Sequence, residues 1–576
     1  MNNEKKICQN CKKDFVIEPD DFAFYEKIKV PSPTWCPDCR LWRRLSYSNE
    51  RHLYQNTCGR CGQKIISMYP AKTVFPVYCF SCYRGDDWGP LSYAQDYDFS
   101  RPFLEQFRDL KNKVPRAERV VQGDLAGNNY CNRASYNKNC YLLVRANYDE
   151  NSSYSYNLWE SRESSDCLNV HKSELSYECI DIVDCYNVQY SQECRQCRDS
   201  FFLFDCRNCV QCIGCAGLRN KEYQILNKPY TKEEYKNELE SLRLDTREGL
   251  EVFSEKFQEL LKGVIRESAI FTNCTDSSGN WLIDCKNVKN SYQSRKVEDG
   301  KNLLSVIGGK DCMDYSYWGA ASELVYETTN CGYSCSRMRF CNESWDSCHD
   351  LTYCDNCYGS ENLFGCVGIR KGSYCILNKQ YTKEEYEELV PKIIEHMKAM
   401  PYKDRAGRVY SFGEYFPSEF SASAYNTTLG FEYFPLTEKE IVSRGLKWED
   451  KKDKEYKTTI SWEKLPGKII DVKDDILKEA ILCLAYDKQG VGAVKGHNCT
   501  KAFKITADEL AFYKRMNIPL PQNCPNTRHF KRFTKRNPLK LWHRKCAKCE
   551  KEIETSYAPD RPEIVYCEQC YQAEVV

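Results

Sequence analysis

The sequence predicts a multidomain, mainly β protein with helices, in which duplicated zinc-ribbon or treble-clef modules at both termini flank a duplicated, irregular β-solenoid. Three observations predict it. Six cysteines near the N-terminus recur near the C-terminus at a constant offset of 488 residues, with no insertion. A 21-residue stretch beginning at Cys215 returns 151 residues later at Cys366. From Cys131 to Cys215, every interval between consecutive cysteines is a multiple of three.

At 576 residues the chain is too long for one core. The repeats divide it into an N-terminal double zinc module (1–90), a helical linker (91–128), a first solenoid repeat with a helical insertion (129–270), a second with a terminal helix (271–400), an extended connector (401–480) and a C-terminal double zinc module (481–576).

In each module, thiolates come in pairs separated by a loop, the layout a tetrahedral zinc ion requires. The N-terminal ligands are Cys8, Cys11, Cys36 and Cys39, then Cys58, Cys61, Cys79 and Cys82. The C-terminal copy keeps Cys546, Cys549, Cys567 and Cys570. All four positions in each set are filled by protein, so these three zinc ions are structural. A fourth site is degenerate. Cys499 and Cys524 survive, but Cys8 maps to Gly496 and Cys39 to Thr527, leaving His497 as a third ligand and Cys483 as a distant helper. The other reading of that site is a relic packed through Phe503 and Tyr513, which match Phe15 and Tyr25. A helix is expected from Pro37, because proline suits a first turn. Lys64–Tyr69 and Ile553–Tyr557 read as strands.

The 37 cysteines, with no leader-like apolar segment at Met1 and no apolar run long enough to cross a membrane, point to a cytoplasmic protein with reduced thiols. The 22 cysteines between residues 130 and 375 lack the zinc-pair layout. A template of Cys-x5-Ser/Cys-x2-Ser/Cys-x2-Ser/Cys fits Cys167, Cys185, Ser200, Cys335 and Cys348 as starting points. These starts lie roughly 13 to 18 residues apart, the length of one solenoid coil. Small side chains would line the wall, with Tyr, Asn, Asp and Arg outside. A rival reading makes Cys194, Cys197, Cys206, Cys209, Cys212 and Cys215 metal ligands. The second copy places Ser360 and Leu363 where Cys209 and Cys212 stand, which suits packing better than ligation. Capping boxes at Thr231–Glu234 and Thr382–Glu385 open helices, as does Arg247, and Ser100 caps one ending before Pro115.

Net charge is only +1, yet Leu510–Lys548 holds eleven Lys and Arg and no acid. Arg40, Arg43, Arg44 and Arg51 in the first module, and Arg528, Lys531, Arg532, Lys535, Arg536, Lys540, Arg544 and Lys545 in the last, alternate with aromatics that include Trp42 and Trp542. Cations for phosphate beside rings that stack on bases are the footprint of nucleic-acid binding. The expected function is therefore a non-catalytic, zinc-stabilised protein of RNA, ribonucleoprotein or DNA, with neither a membrane nor a small-molecule substrate. A protein-interaction scaffold built on the solenoid is the alternative, and a thiol- or metal-dependent enzyme a second. No phosphate-binding loop, nucleophile elbow or His-Glu-x-x-His is present.

Arg43-Arg-Leu-Ser-Tyr, Asp98-Phe-Ser-Arg-Pro-Phe, Leu218-Arg-Asn-Lys, Tyr433-Phe-Pro-Leu-Thr and Pro559-Asp-Arg-Pro-Glu-Ile-Val-Tyr-Cys-Glu resemble an uncharacterised family of large cysteine-rich bacterial proteins named for their zinc ribbons. The resemblance spans nearly the whole chain. It implies a shared architecture and no particular activity.

Overall fold

From Arg133 to Leu226 every third residue has left-handed backbone geometry, and only Gly214 and Gly217 in that run are glycine. A computed structural model describes residues 3–123, 127–128, 130–450, 457–495 and 498–575. The chain is multidomain and sheet-rich, with helices between the sheets.

The three-residue rhythm explains the cysteine spacing. In each triplet one side chain points inward, one lies between, and one occupies the left-handed corner. From Cys131 to Cys215 the inward positions are all buried, Cys167, Val170, Ser173, Ser176 and Cys179 among them. An L-residue in the left-handed region costs about 1–2 kcal/mol, least for Asn and Asp. Those residues recur at the corners and bond along the stack: Asn157 donates to Asn169 at 2.6 Å, Asn187 to Asp199 at 2.8 Å and Asn208 to Asn220 at 2.7 Å. Each link joins residues twelve apart.

The short strands pair in parallel at that same offset, as in Tyr156 with Leu168, Leu168 with Ile180, and Arg198 with Val210. The first half forms two six-stranded sheets and the second a twelve-stranded one. The expected 13–18-residue spacing is thus corrected to 12, rising to 13 where Glu323 pairs Ser336 and Ser336 pairs His349. Ser347, expected in the wall, is instead exposed at a corner (φ 60°), because the 13-residue step inserts one residue there.

Helices occupy Lys232–Leu242, Arg247–Lys262 and Lys383–Ala399, the first and last opened by reciprocal capping boxes at Thr231/Glu234 and Thr382/Glu385. The helix Phe103–Lys111 begins after Pro102, whereas Ser100 hydrogen-bonds to Asp98. Residues 401–450 are more than a connector. Tyr410, Tyr415, Phe416 and Phe431 are buried in one core with Trp35, Trp42, Phe103 and Phe107.

The two terminal modules dock crosswise. The helix Pro37–Leu45 lies against the second-half sheet, where Arg40 pairs Asp314 at 2.7 Å, and Arg43 and Arg44 pair Glu327 at 2.6 and 3.0 Å. Arg43 also pairs Glu414 at 2.9 Å and stacks 4.3 Å from Trp35. The helix Pro525–Phe533 lies against the first half, where Arg528 and Arg532 share Asp166 and Arg532 reaches Glu178 at 2.7 Å. Asp166, Glu178, Asp314 and Glu327 all stand at left-handed corners. Meanwhile Val77–Tyr78 pairs with Arg116–Ala117, leading into the first half, and Ile564–Tyr566 pairs with Ile265–Glu267, leading into the second. Each module therefore straddles both halves.

Removing one partner of a buried ion pair costs about 3–5 kcal/mol. Glu327→Gln removes the carboxylate that Arg43 and Arg44 share, leaving them Glu414 and Asp314, and should lower unfolding free energy by about 3 kcal/mol, the low end of that range, in denaturant titration. Glu298→Gln, in an exposed 3.3 Å pair with Lys286, should stay within about 0.5 kcal/mol of wild type.

Candidate metal centres and the basic segments

Each tetrad is built the same way. A strand delivers the first cysteine, a tight knuckle the second, and a helix start the last two. Cys8 N–H bonds to the Lys13 carbonyl at 2.8 Å, Cys58 to Gln63 at 2.9 Å and Cys546 to Lys551 at 2.9 Å. The first cysteine's sulfur then accepts the N–H of the third: Cys36 to Cys8 and Cys79 to Cys58 at 3.3 Å, Cys567 to Cys546 at 3.2 Å. Within each of the three tetrads all four sulfurs lie within 4.8 Å of one another. Cys11–Cys36, Cys61–Cys79 and Cys549–Cys567 are 3.8, 3.9 and 3.8 Å apart. Four sulfurs at about 2.3 Å from one tetrahedral ion would stand about 3.8 Å apart. These clusters could each hold a metal ion.

The electrostatics favour a thiolate at the first cysteine of the second and last tetrads. Burial opposes ionisation of Cys58, but the N–H groups of Cys61, Cys79 and Arg60 outweigh it and bring its pKa to about 6. Cys546 is brought to about 6 in the same way by Cys549, Cys567 and Lys548.

A fourth cluster forms where the sequence placed its degenerate site, with different members. Cys483, Cys499 and Cys524 gather within 4.8 Å, so the distant helper is a full member. Gly496 and His497 lie outside the described residues. Cys483 occupies the Cys8 place by three criteria. Leu482 pairs with Ala502 as Ile7 pairs with Asp14. Cys483 N–H bonds to Lys501, the counterpart of Lys13, at 2.8 Å. Its sulfur accepts the N–H of Cys524, the counterpart of Cys36, at 3.3 Å. Its offset from Cys8 is 475, so thirteen residues are inserted before Cys499. They form the helix Leu484–Lys495, broken at Gly490 (φ 72°). A constant-offset comparison cannot see this; the strand-like Ile481–Leu482 ahead of a cysteine was the available signal. Phe503 and Tyr513 are buried, as are Phe15 and Tyr25.

The central thiols have another role. Cys179 donates to the Tyr177 and Val188 carbonyls at 3.4 and 3.1 Å, and Ser161 makes the same pair of bonds to Trp159 and Val170 at 3.2 and 3.3 Å. That equivalence is why serine and cysteine interchange along the wall. Burial raises Cys131 and Cys285 to about 11 and Cys140 and Cys312 to about 12, so these remain protonated. Among the described residues, the groups that could hold a metal are the four terminal clusters.

The basic residues expected to meet phosphate separate into two sets. Arg40, Arg43, Arg44, Arg528 and Arg532 are buried in the ion pairs above. Arg536 pairs Asp181 at 3.2 Å, Arg51 pairs Glu432 at 3.0 Å, and Arg544 donates to the carbonyls of Ala558 and Glu563. Trp42 is buried, donating to the Tyr425 hydroxyl at 2.7 Å. For these residues the structure corrects the expectation: their charge or ring is committed inside the fold. Lys531, Lys535, Lys540 and Lys545 are exposed, and Lys540 stands 4.9 Å above the half-buried Trp542.

Between the modules, Arg51 also donates to Asn526 at 3.2 Å, and His529 stands 3.5 Å from Glu432. Burial, then Arg51, lowers His529 to about 4. Among the described residues no helix is long and apolar enough to cross a membrane.

No known family and no curated protein sequence matches the chain. The solved structures that match include a candidate acetyltransferase from Desulfovibrio desulfuricans G20, 11% identical over 50% of this chain and 78% of that one, with a TM-score of 0.10. That superposition is too poor to transfer fold or activity.

Two measurements follow from this geometry. Cys206→Ser should keep the metal content and cost about 1 kcal/mol, whereas Cys546→Ser should lose one ion per chain by native mass spectrometry. Between pH 6.5 and 4 the unfolded chain binds a proton at His529 that the folded chain refuses. Stability should therefore fall by about 3 kcal/mol over that window as pH drops, and His529→Gln should remove this component in denaturant titrations.

Proposed function

We propose that the protein is a non-catalytic scaffold: two stretches of cysteine-walled β-solenoid, clamped by zinc modules at both ends and offering their outer face to a protein partner. The observation that carries this reading is the sequestration of Arg40, Arg43, Arg44, Arg528 and Arg532 against sheet carboxylates, which makes the modules internal clamps. The 12-residue offset that prevails among the parallel strands, with one inward residue in three, supports coils stacked on one another. Sulfur-only tetrads with every position filled support structural zinc, in ribbon and treble-clef arrangements. All 37 cysteines are unpaired, in keeping with a reducing cytoplasm.

The outer face carries recognition groups. Tyr136 and Tyr148 are exposed and stack at 5.2 Å with 10° between their planes, beside the Asn139–Asn151 ladder. Stacked tyrosines present rigid contact area at low entropic cost, which suits a protein interface. The polar cavity between Glu193, Arg266, Gln293 and Arg536 has about 50 Å³ of water-accessible space, room for a few waters.

Nucleic-acid binding is the second reading, favoured by the exposed Lys531, Lys535, Lys540 and Lys545 beside Trp542. One paired experiment separates the two. For the scaffold, purified protein should show the 260/280 nm absorbance of protein alone, and Tyr136→Ala with Tyr148→Ala should reduce partner co-purification at unchanged melting temperature. Salt-sensitive oligonucleotide binding, abolished when the four lysines become Glu, would favour the nucleic-acid reading instead. Reversing Arg532 or Arg536 would not be informative, because both hold the fold.

A further inference from the structure

The three complete tetrads leave no room for a fifth ligand, but the three-cysteine Cys483 cluster leaves room for a fourth. Cys524 lies 3.6 Å from Cys499, and its sulfur lies 3.2 Å from the Thr527 hydroxyl. That hydroxyl also stands 3.8 Å from the Cys483 sulfur. Thr527 occupies the position that Cys39 fills in the first module. In a tetrahedral site of three sulfurs at about 2.3 Å and one oxygen at about 2.0 Å, sulfur and oxygen would be about 3.5 Å apart. The observed pair of distances brackets that value. Thr527 is itself 1% exposed and Cys499 is half-buried, so the cluster is walled on the helix side and approachable from the Cys499 side.

We propose that Cys483, Cys499 and Cys524 bind a fourth divalent ion of the zinc class, exchangeable where the other three are permanent. Three thiolates and one oxygen hold a borderline-soft cation less firmly than four thiolates do. The fourth position belongs to the Thr527 hydroxyl or to a water or external thiolate that displaces it, the open arrangement that structural tetrads lack. The fold has kept this site through a substantial rearrangement. The strand Ile481–Leu482 supplies the first ligand from thirteen residues farther upstream, with the strand pairing, the N–H bond and the N–H bond to sulfur of the Cys8 position all reproduced. A packing relic would need none of that precision at the sulfur, and Cys524 N–H would not be aimed at it.

This inference rests on reading the three tetrads as zinc sites, and the test separates the two. Full-length protein is purified without chelator, its zinc counted by mass spectrometry, and release followed with a chromogenic chelator. Four ions are expected, one leaving in a fast phase and three slowly. Cys499→Ser should lose one ion together with the fast phase. Thr527→Cys, which adds a ligand and removes none, should keep four ions and convert the fast phase to slow. In cobalt-substituted protein it should also strengthen the sulfur-to-cobalt charge-transfer band. Three slowly released ions in wild type, or a fast phase that survives Cys499→Ser, would overturn the fourth site and leave the tetrads standing. Fewer than three ions would overturn both.

Discussion

The fold depends on arginines that have left water. Arg40, Arg43 and Arg44 on one helix, and Arg528 and Arg532 on its counterpart, are almost wholly buried against carboxylates of the opposite half. A buried guanidinium without a partner is costly, so these helices are stable only when docked on the sheets. The sheets in turn display Asp314, Glu327, Asp166 and Glu178 at left-handed corners, where the three-residue rhythm turns them toward the modules. Such pairs add less net stability than their number suggests, but they allow few alternative placements. Hydrophobic contact repeats the pattern: Tyr25 packs 5.5 Å from Tyr326 and Tyr513 packs 5.8 Å from Tyr177.

Two duplications thus interlock. Each module grips one half with an arginine helix and joins the strand that leads into the other. Segment 401–450 fills the space between them, with Tyr425 bonding to Trp42, Leu429 N–H bonding to Ser48 O, and Tyr433 packing 5.0 Å from Phe533. Sulfur serves the arrangement in two ways. In the modules, backbone N–H groups favour the thiolate at first cysteines such as Cys58 and Cys546. In the sheets it is a small buried donor to carbonyls, exchangeable with serine.

Much of this was legible in the chain. The tetrads were readable because a constant offset conserves ligand spacing, and the helices because Pro37, Thr231 and Thr382 carry local signals that need no tertiary context. The inward ladder followed from the multiples of three. Its 12-residue return did not, because the wall alternates Cys and Ser with Val, Leu and Ile, as at Val170, Ile182 and Val188, and a search for cysteine alone skips them. The role of the arginines was hidden for a different reason. Uncompensated charge along a segment looks like a surface feature when its counter-charges lie far away in sequence, as Glu327 does from Arg43. The full membership of Cys483 was hidden by the insertion, which breaks the offset that relates the other cluster cysteines of the last module to those of the first.

If the terminal clusters hold zinc as proposed, that metal is what fixes the arginine helices and, through them, the two halves. Hydrogen exchange, compared between zinc-loaded and chelator-stripped protein and followed by mass spectrometry, tests this most directly. Stripping should expose the amides of Pro37–Leu45 and Pro525–Phe533 and, in the same step, those of the segments bearing Asp166, Glu178, Asp314 and Glu327. Unchanged protection of those sheet segments after complete metal removal would contradict it.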